Sequence, residues 1–158
     1  AVARAAGRRL HIYGVVQDEV YHEHEILPHV DGDRVIYHGP VGGAARASAL
    51  GGARALLHLI KCDEPFGLSV VEALACGTPV IAVGRGSMPE LIDDGRTGFL
   101  VSSEAEAVAA VDRAAGLDRA AIANAARSRF GVEQMGDEYI ALYRRILAGG
   151  EGGRSAGP

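Results

Sequence analysis

Asp63-Glu64-Pro65-Phe66-Gly67-Leu68-Ser69-Val70-Val71-Glu72-Ala73-Leu74-Ala75-Cys76-Gly77-Thr78-Pro79-Val80-Ile81-Ala82 reads as loop, helix, turn and buried strand. Pro65 donates no backbone hydrogen bond and disfavours helix at the residue before it, which leaves Glu64 extended, just ahead of a helix. From about Gly67 the pattern turns helical. Leu68, Val71 and Ala75 recur at i, i+3 and i+7, with Leu74 bordering that stripe. Gly77 is the expected stop, and Thr78-Pro79 leads into the short apolar run Val80-Ile81-Ala82.

The start of such a helix has free backbone N–H groups and a partial positive charge, so it accommodates a phosphate. Gly67 has no Cβ and would let a ligand come close to the backbone. Glu72 lies roughly 7–8 Å further along the axis, at about 1.5 Å per residue, where its carboxylate can accept hydrogen bonds from vicinal hydroxyls such as those of a ribose. Glu64 lies on the other side of the phosphate position. One short segment could therefore grip a sugar, a diphosphate and a ribose in order. The spacing alone is a weak signal, because an exposed helix carries glutamate readily. The complete string is far more specific.

Outward from this segment, helices and short apolar runs alternate. Ala1 to Gly7 reads as the end of a helix, and Leu10 to Gly14 as a strand. A helix over Asp18 to Leu27 is ended by Pro28, and Arg34 to His38 is a second strand closed by Gly39-Pro40. A short helix over Ala44 to Leu50 leads to a third strand, Ala55 to Ile60. Beyond the motif, the pattern predicts a strand at Pro79 to Val83, a helical turn at Met88 to Asp93 and an edge strand at Gly98 to Val101. The last third is helical: Ala105 to Ala115, a helix capped by Asp118 and running through Phe130, and one from Val132 or Glu133 to Leu147. Met135, Tyr139, Leu142, Tyr143 and Ile146 form the apolar stripe of that last helix. The alternation predicts an α/β fold, a Rossmann-like doubly wound parallel sheet with a helical C-terminal third. Residues 1–148 form the expected domain, and the Gly-rich polar stretch 149–158 is expected to be a disordered tail.

Composition narrows the function. The 158 residues suit one domain, and a 48% hydrophobic content with mean hydropathy +0.10 suits a compact core. With 16 basic and 20 acidic residues the net charge is −4, which argues against a sequence-independent nucleic-acid surface. There is no Trp and little aromatic content, so stacking platforms for single strands are not favoured. Cys62 and Cys76 show neither metal spacing nor a disulfide framework, and a reducing, cytoplasmic setting is expected. No apolar run is long enough to cross a bilayer.

The residues Glu64-Pro65-Phe66-Gly67, Glu72-Ala73, Ala75 to Val80, Pro89-Glu90-Leu91 and Asp94-Gly95-Arg96-Thr97-Gly98 together resemble one family pattern. It is that of the C-terminal nucleotide-binding domain of the retaining GT-B glycosyltransferases of family 4, the glycosyl transferases group 1. The resemblance runs from about residue 9 to about residue 147. The Arg85-Gly86-Ser87-Met88-Pro89-Glu90 variant looks like one recurring branch of the family.

The resemblance implies half of a GT-B fold that binds a nucleoside-diphosphate sugar. The complete enzyme would transfer the sugar, with retention, to a hydroxyl acceptor. It implies donor-sugar contact by Glu64, ribose contact by Glu72, and backbone amides of Phe66, Gly67, Leu68 and Ser69 meeting the sugar and diphosphate. Tyr37, His38 and Gly39 become candidates for the base, and Gly84 and Gly86 for close approach to the donor. No metal cofactor is implied, because the relatives use a helix dipole and cations. No residue reads as a nucleophile.

The family also has a strand, a glycine-rich loop with a basic Arg and Lys, and an acceptor-binding domain ahead of the matching region. These are not in the sequence, so the chain is expected to be N-terminally incomplete and inactive alone. Acceptor contact, and any peripheral membrane contact, would come through that absent part. A rival reading is a non-catalytic nucleotide-sugar-binding or scaffolding module. GT-B-like epimerases and phosphorylases lack the combination of Glu64 to Gly67 with Glu72-Ala73. For His22, His24 and His29, a solvated helix face outweighs metal ligation. Lys61 and Arg85 are the nearby cations, without an assigned role.

Overall fold

The computed structural model describes residues 1–150, with side chains to residue 148. In chain order the elements are α1 (Val2–Ala5), β1 (Leu10–Ile12), α2 (Glu19–Tyr21), β2 (Val35–Tyr37), α3 (Gly43–Gly52), β3 (Leu56–His58), α4 (Leu68–Ala75), β4 (Val80–Val83), α5 (Met88–Leu91), β5 (Gly98–Val101), α6 (Glu104–Arg113), α7 (Arg119–Phe130) and α8 (Val132–Gly150). Every strand pair is parallel. β1 pairs with β2, and β3–β4–β5 form a second sheet with β4 in the middle and β5 at an edge. The expected α/β class holds, with the described strands divided between two sheets.

β4 shows why the pattern is an unbroken apolar run. Successive side chains of a strand point to opposite faces, and helices cover both. Val80 and Ala82 pack with Val70, Ala73 and Leu74 of α4 and Ile122 and Ala126 of α7. Ile81 points the other way, into a cluster with Phe99, Val101, and Ala107, Ala110 and Val111 of α6.

Local chemistry sets the helix ends. Asp118 accepts from the amides of Ala120 and Ala121, the expected cap of α7. Ser103 accepts from Glu106 N–H while the Glu106 carboxylate reaches back to Ser102 N–H. α4 stops at Gly77, whose N–H donates to the Leu74 carbonyl while Thr78 N–H donates to Ala73. Arg119 locks the end of α3 to the start of α7, donating to the carbonyls of Gly51 and Ala53 and to the Thr78 hydroxyl.

Three expectations need correction. The helix expected over Asp18 to Leu27 is α-helical only at Glu19–Tyr21. It widens into a π turn at His22–Ile26, and Pro28, the expected end of the helix, sits inside a further 3-10 turn, Leu27–His29. Proline is tolerated there because the first turn of a helix leaves its N–H groups unpaired in any case. The face of α4 is also different. Val70, Ala73 and Leu74 are buried, Val71 and Ala75 only partly, and Leu68 is exposed. The helix is apolar nearly all round, so periodicity does not select a face; packing against β4 and α7 does. Of the expected tail, 149 and 150 continue α8 in backbone, and the remainder lies outside the described residues.

The apolar side of α8 lies open, with Met135, Tyr139, Tyr143 and Ile146 each more than half exposed. Among the described residues no helix is long and apolar enough to cross a membrane.

Candidate functional site

In parallel α/β sheets, ligand sites form at the carboxyl ends of the strands, where loops diverge. Here β3 leads through residues 59–67 into α4, and β4 leads through Gly84 to Ser87 into α5. The second loop clasps the first. Ser87 N–H donates to the Glu64 carbonyl at 3.0 Å, and the Ser87 hydroxyl donates to the Phe66 carbonyl at 2.9 Å. Arg85 donates from Nε to Asp63 at 2.7 Å and from Nη1 to the Lys61 carbonyl at 2.6 Å. Arg85 is thereby a clasp between two loops. Gly86 lies so close to the loop that a Cβ there would come within 2.7 Å of the Glu64 carbonyl oxygen and 2.8 Å of its nitrogen. This contact places Gly86 against the Glu64 backbone.

Glu64 is held at the mouth of α4. Its Oε1 accepts from Phe66 N–H at 3.3 Å and Gly67 N–H at 3.1 Å. Two of the four amides expected to face a donor are thus occupied by the protein's own carboxylate. Among the described residues, Leu68 and Ser69 amides in the first turn have no protein acceptor. The side chains of Phe66, Leu68 and Ser69 are exposed around them.

Gly67 adopts φ +88, ψ 50, the left-handed region. The space its Cβ would take is filled by Met88 Cε at 2.8 Å and Leu91 Cδ1 at 3.0 Å. The glycine is therefore required by the packing of α5 and by the backbone turn. The open approach for a ligand expected from its missing side chain is, in the fold, occupied by α5.

Glu72, one and a half turns into α4, is paired with Arg46 of α3 at 2.9 Å. Both side chains are partly exposed, so the pair contributes little to stability, within about 1 kcal/mol. Both line a cavity of about 910 Å³, together with Ser69, the loop after β1 at Tyr13 and Gly14, and Val41 after β2. Arg46 is the cation that the sequence reading missed. Nothing in its surroundings along the chain marks it, and only the packing of α3 on α4 brings it to Glu72.

At the ends of β1 and β2, the His38 ring stacks on Tyr13, with ring centroids 4.5 Å apart, and lies edge to edge with His11, whose ring centroid is 5.2 Å away and whose plane is tilted by only 12°. His11 Nδ1 and His38 Nε2 share a hydrogen bond of 2.9 Å, which requires one ring to donate and the other to accept. Tyr37 donates its hydroxyl to the Gly14 carbonyl, so it braces the loop instead of standing free. Among the described residues no group of three or more His, Cys, Asp and Glu side chains is arranged to hold a metal ion.

His58 is the last residue of β3, and its place in the apolar run Ala55 to Ile60 marks it only as part of a strand. Its Nε2 is buried with no partner, and burial pushes its pKa below the ordinary value, while the Glu64 charge pulls the other way. A histidine whose folded pKa is depressed binds fewer protons in the native than in the unfolded chain. Stability is then unaffected well above the unfolded value of about 6.5 and falls as pH drops through it. Chemical denaturation between pH 7.5 and 5.5 should show this loss, and His58→Leu should flatten the slope. An unchanged slope would mean that His58 is solvated.

A candidate site at the carboxyl ends of parallel strands, built around an open helix start and two carboxylates, defines the class: an α/β domain whose strand-end loops frame a ligand position. The sequence profile described as "Glycosyl transferases group 1" matches residues 1–116, and the chain belongs to that family. Among curated relatives, the D-inositol 3-phosphate glycosyltransferase of Segniliparus rotundus is 39% identical over 97 residues, covering 56% of this chain and 21% of that protein. That of Mycobacterium avium is 42% identical over 95 residues, covering 54% and 22%. The chain therefore spans about a fifth of the length of these relatives. Among solved structures, AviGT4, a glycosyltransferase involved in avilamycin A biosynthesis, superposes with TM-score 0.75 at 31% identity, over 94% of this chain and 46% of that one. Anabaena Alr3699/HepE in complex with UDP-glucose superposes with TM-score 0.74 at 22% identity, over 91% and 44%, a likeness of fold.

Proposed function

We propose that the chain is the donor-binding wall of a retaining glycosyltransferase, which moves a hexose-like sugar from a nucleoside diphosphate to a hydroxyl acceptor. The observation that carries this reading is the start of α4. Glu64 is anchored on two amides, the next two amides are open, and Glu72 stands beyond them beside Arg46. In this reading the free Oε2 of Glu64 meets sugar hydroxyls, Leu68 and Ser69 amides meet the diphosphate, and Glu72 meets the ribose. The helix start and the Arg46 guanidinium balance the diphosphate charge, so no metal is assigned a role. The acceptor would be held by a second domain, across a cleft that excludes water and strengthens each of these contacts. The setting is the reducing cytoplasm, consistent with the free thiols of Cys62 and Cys76. The UDP-glucose complex of Alr3699/HepE supports a nucleotide-sugar donor through the shared fold.

Glu64→Gln tests the sugar end. Glutamine keeps an oxygen for the Phe66 and Gly67 amides and removes the charge. In the enzyme completed by its acceptor domain, turnover should fall about 10- to 100-fold, the loss of one charge-assisted hydrogen bond, while affinity for the sugar-free nucleotide stays nearly constant. Equal losses for the free nucleotide and the sugar nucleotide would remove Glu64 from the sugar.

A further inference from the structure

The segment just ahead of Glu64 has little of its own to hold it. Lys61, Cys62 and Asp63 are exposed, and among the described residues their backbone groups make no hydrogen bond to another backbone group. One side chain anchors them, Arg85 of the loop after β4. Its Nε donates to the Asp63 carboxylate at 2.7 Å while its Nη1 donates to the Lys61 carbonyl at 2.6 Å. Paired bonds from one planar guanidinium fix the direction of the segment as well as its position.

Glu64 is gripped on its other side by the residues that follow Arg85. Ser87 N–H bonds the Glu64 carbonyl and Gly86 packs against the Glu64 backbone, while the Glu64 carboxylate closes on the amides of Phe66 and Gly67. The Arg85–Asp63 pair adds little to overall stability. Its side chains are 42% and 71% exposed, and water screens the attraction. The effect of such a contact is local: it restricts the conformations open to a short segment that packing does not restrain.

We propose that Arg85 is a positioning residue for the sugar end of the site. It holds Lys61 and Asp63 so that the Oε2 of Glu64 keeps one direction, and it acts through the loop instead of through the donor. The inference rests on the reading of Glu64 as the sugar ligand. The shape of the cation matters here as well as its charge. A lysine at this position would keep the charge, but its ammonium lacks the fixed fork that meets both acceptors. Asparagine in place of Asp63 would keep an oxygen for Nε.

The test compares Arg85→Lys and Arg85→Met with the native chain. In the chain alone, amide hydrogen exchange followed by NMR should be about 3- to 10-fold faster in both variants at Phe66 and Gly67, the amides bonded to Glu64, and unchanged at core Ile81. The melting point should fall by no more than about 3 °C. In the enzyme completed by its acceptor domain, kcat for the sugar nucleotide should fall about 5- to 20-fold in both variants, while Kd for the sugar-free nucleoside diphosphate stays within about twofold. Asp63→Asn should lose less than Arg85→Met, and the two together should lose no more than Arg85→Met alone. Full turnover in Arg85→Lys would assign the residue to charge alone, and weaker binding of the free nucleotide in Arg85→Met would make it a diphosphate ligand. Either result overturns the positioning role, as does unchanged exchange at Phe66 and Gly67. Glu64→Gln measured alongside tells the two failures apart. Normal turnover in Glu64→Gln removes the sugar reading and this proposal with it. Normal turnover in Arg85→Met beside an impaired Glu64→Gln removes the role of Arg85 only.

Discussion

Gly67→Val is expected to destabilise the fold before it affects any ligand. A β-branched residue in the left-handed region costs about 1–2 kcal/mol in backbone strain. The new side chain also points into Met88 and Leu91, where a Cβ alone would be 2.8 and 3.0 Å from their terminal carbons. Overpacking of that kind costs about 1–3 kcal/mol more. The sum, about 2–5 kcal/mol, is a large part of the total stability of an ordinary domain and corresponds to a melting point lower by about 10 °C. Leu68→Ala, at the next and exposed position, should leave the melting point nearly unchanged. A Gly67→Val chain that melts normally and merely fails to bind nucleotide would restore the simpler idea that the glycine is there for the ligand.

Glu72→Ala should do the opposite, leaving the fold and weakening the nucleotide. Its partner Arg46 is half exposed, so losing the ion pair should change stability by less than about 1 kcal/mol. Removing hydrogen bonds from ribose hydroxyls to a carboxylate should weaken nucleoside-diphosphate affinity by about 1–3 kcal/mol, or roughly 5- to 150-fold. Freed Arg46 remains beside the cavity and offsets part of this through the diphosphate. Glu72→Gln, which keeps an acceptor, should therefore lose less than Glu72→Ala. Calorimetric titration with the nucleoside diphosphate measures both. Unchanged affinity in Glu72→Ala would remove the ribose role.

The elements whose signals are local were legible in the chain. Asp118 caps α7 and Gly77 ends α4 because each cap forms between residues at most a few positions apart. Val80 to Val83 reads as buried strand because both of its faces are covered. Glu64, Phe66, Gly67, Leu68, Ser69 and Glu72 were legible as one candidate site because they lie in one continuous loop and helix. The face of α4 was not legible, since an all-apolar helix has no preferred side until β4 and α7 pack on it. Nor were the partners of the site: Glu64 takes two of the four amides expected to face a donor, Arg85 is held by Asp63, and α5 fills the space beside Gly67.

The sequence by itself determined the α/β order of elements, their caps and stops, and the continuous segment that forms the candidate site. Each depends on dihedral preference, periodicity or hydrogen bonds that close within a few residues. The tertiary structure alone decided that Arg46 meets Glu72 across 26 positions and that the Nε2 of half-buried His58 is enclosed without a partner. Such contacts join residues distant along the chain, and only the packing of helices on both faces of the strands brings them within bonding distance.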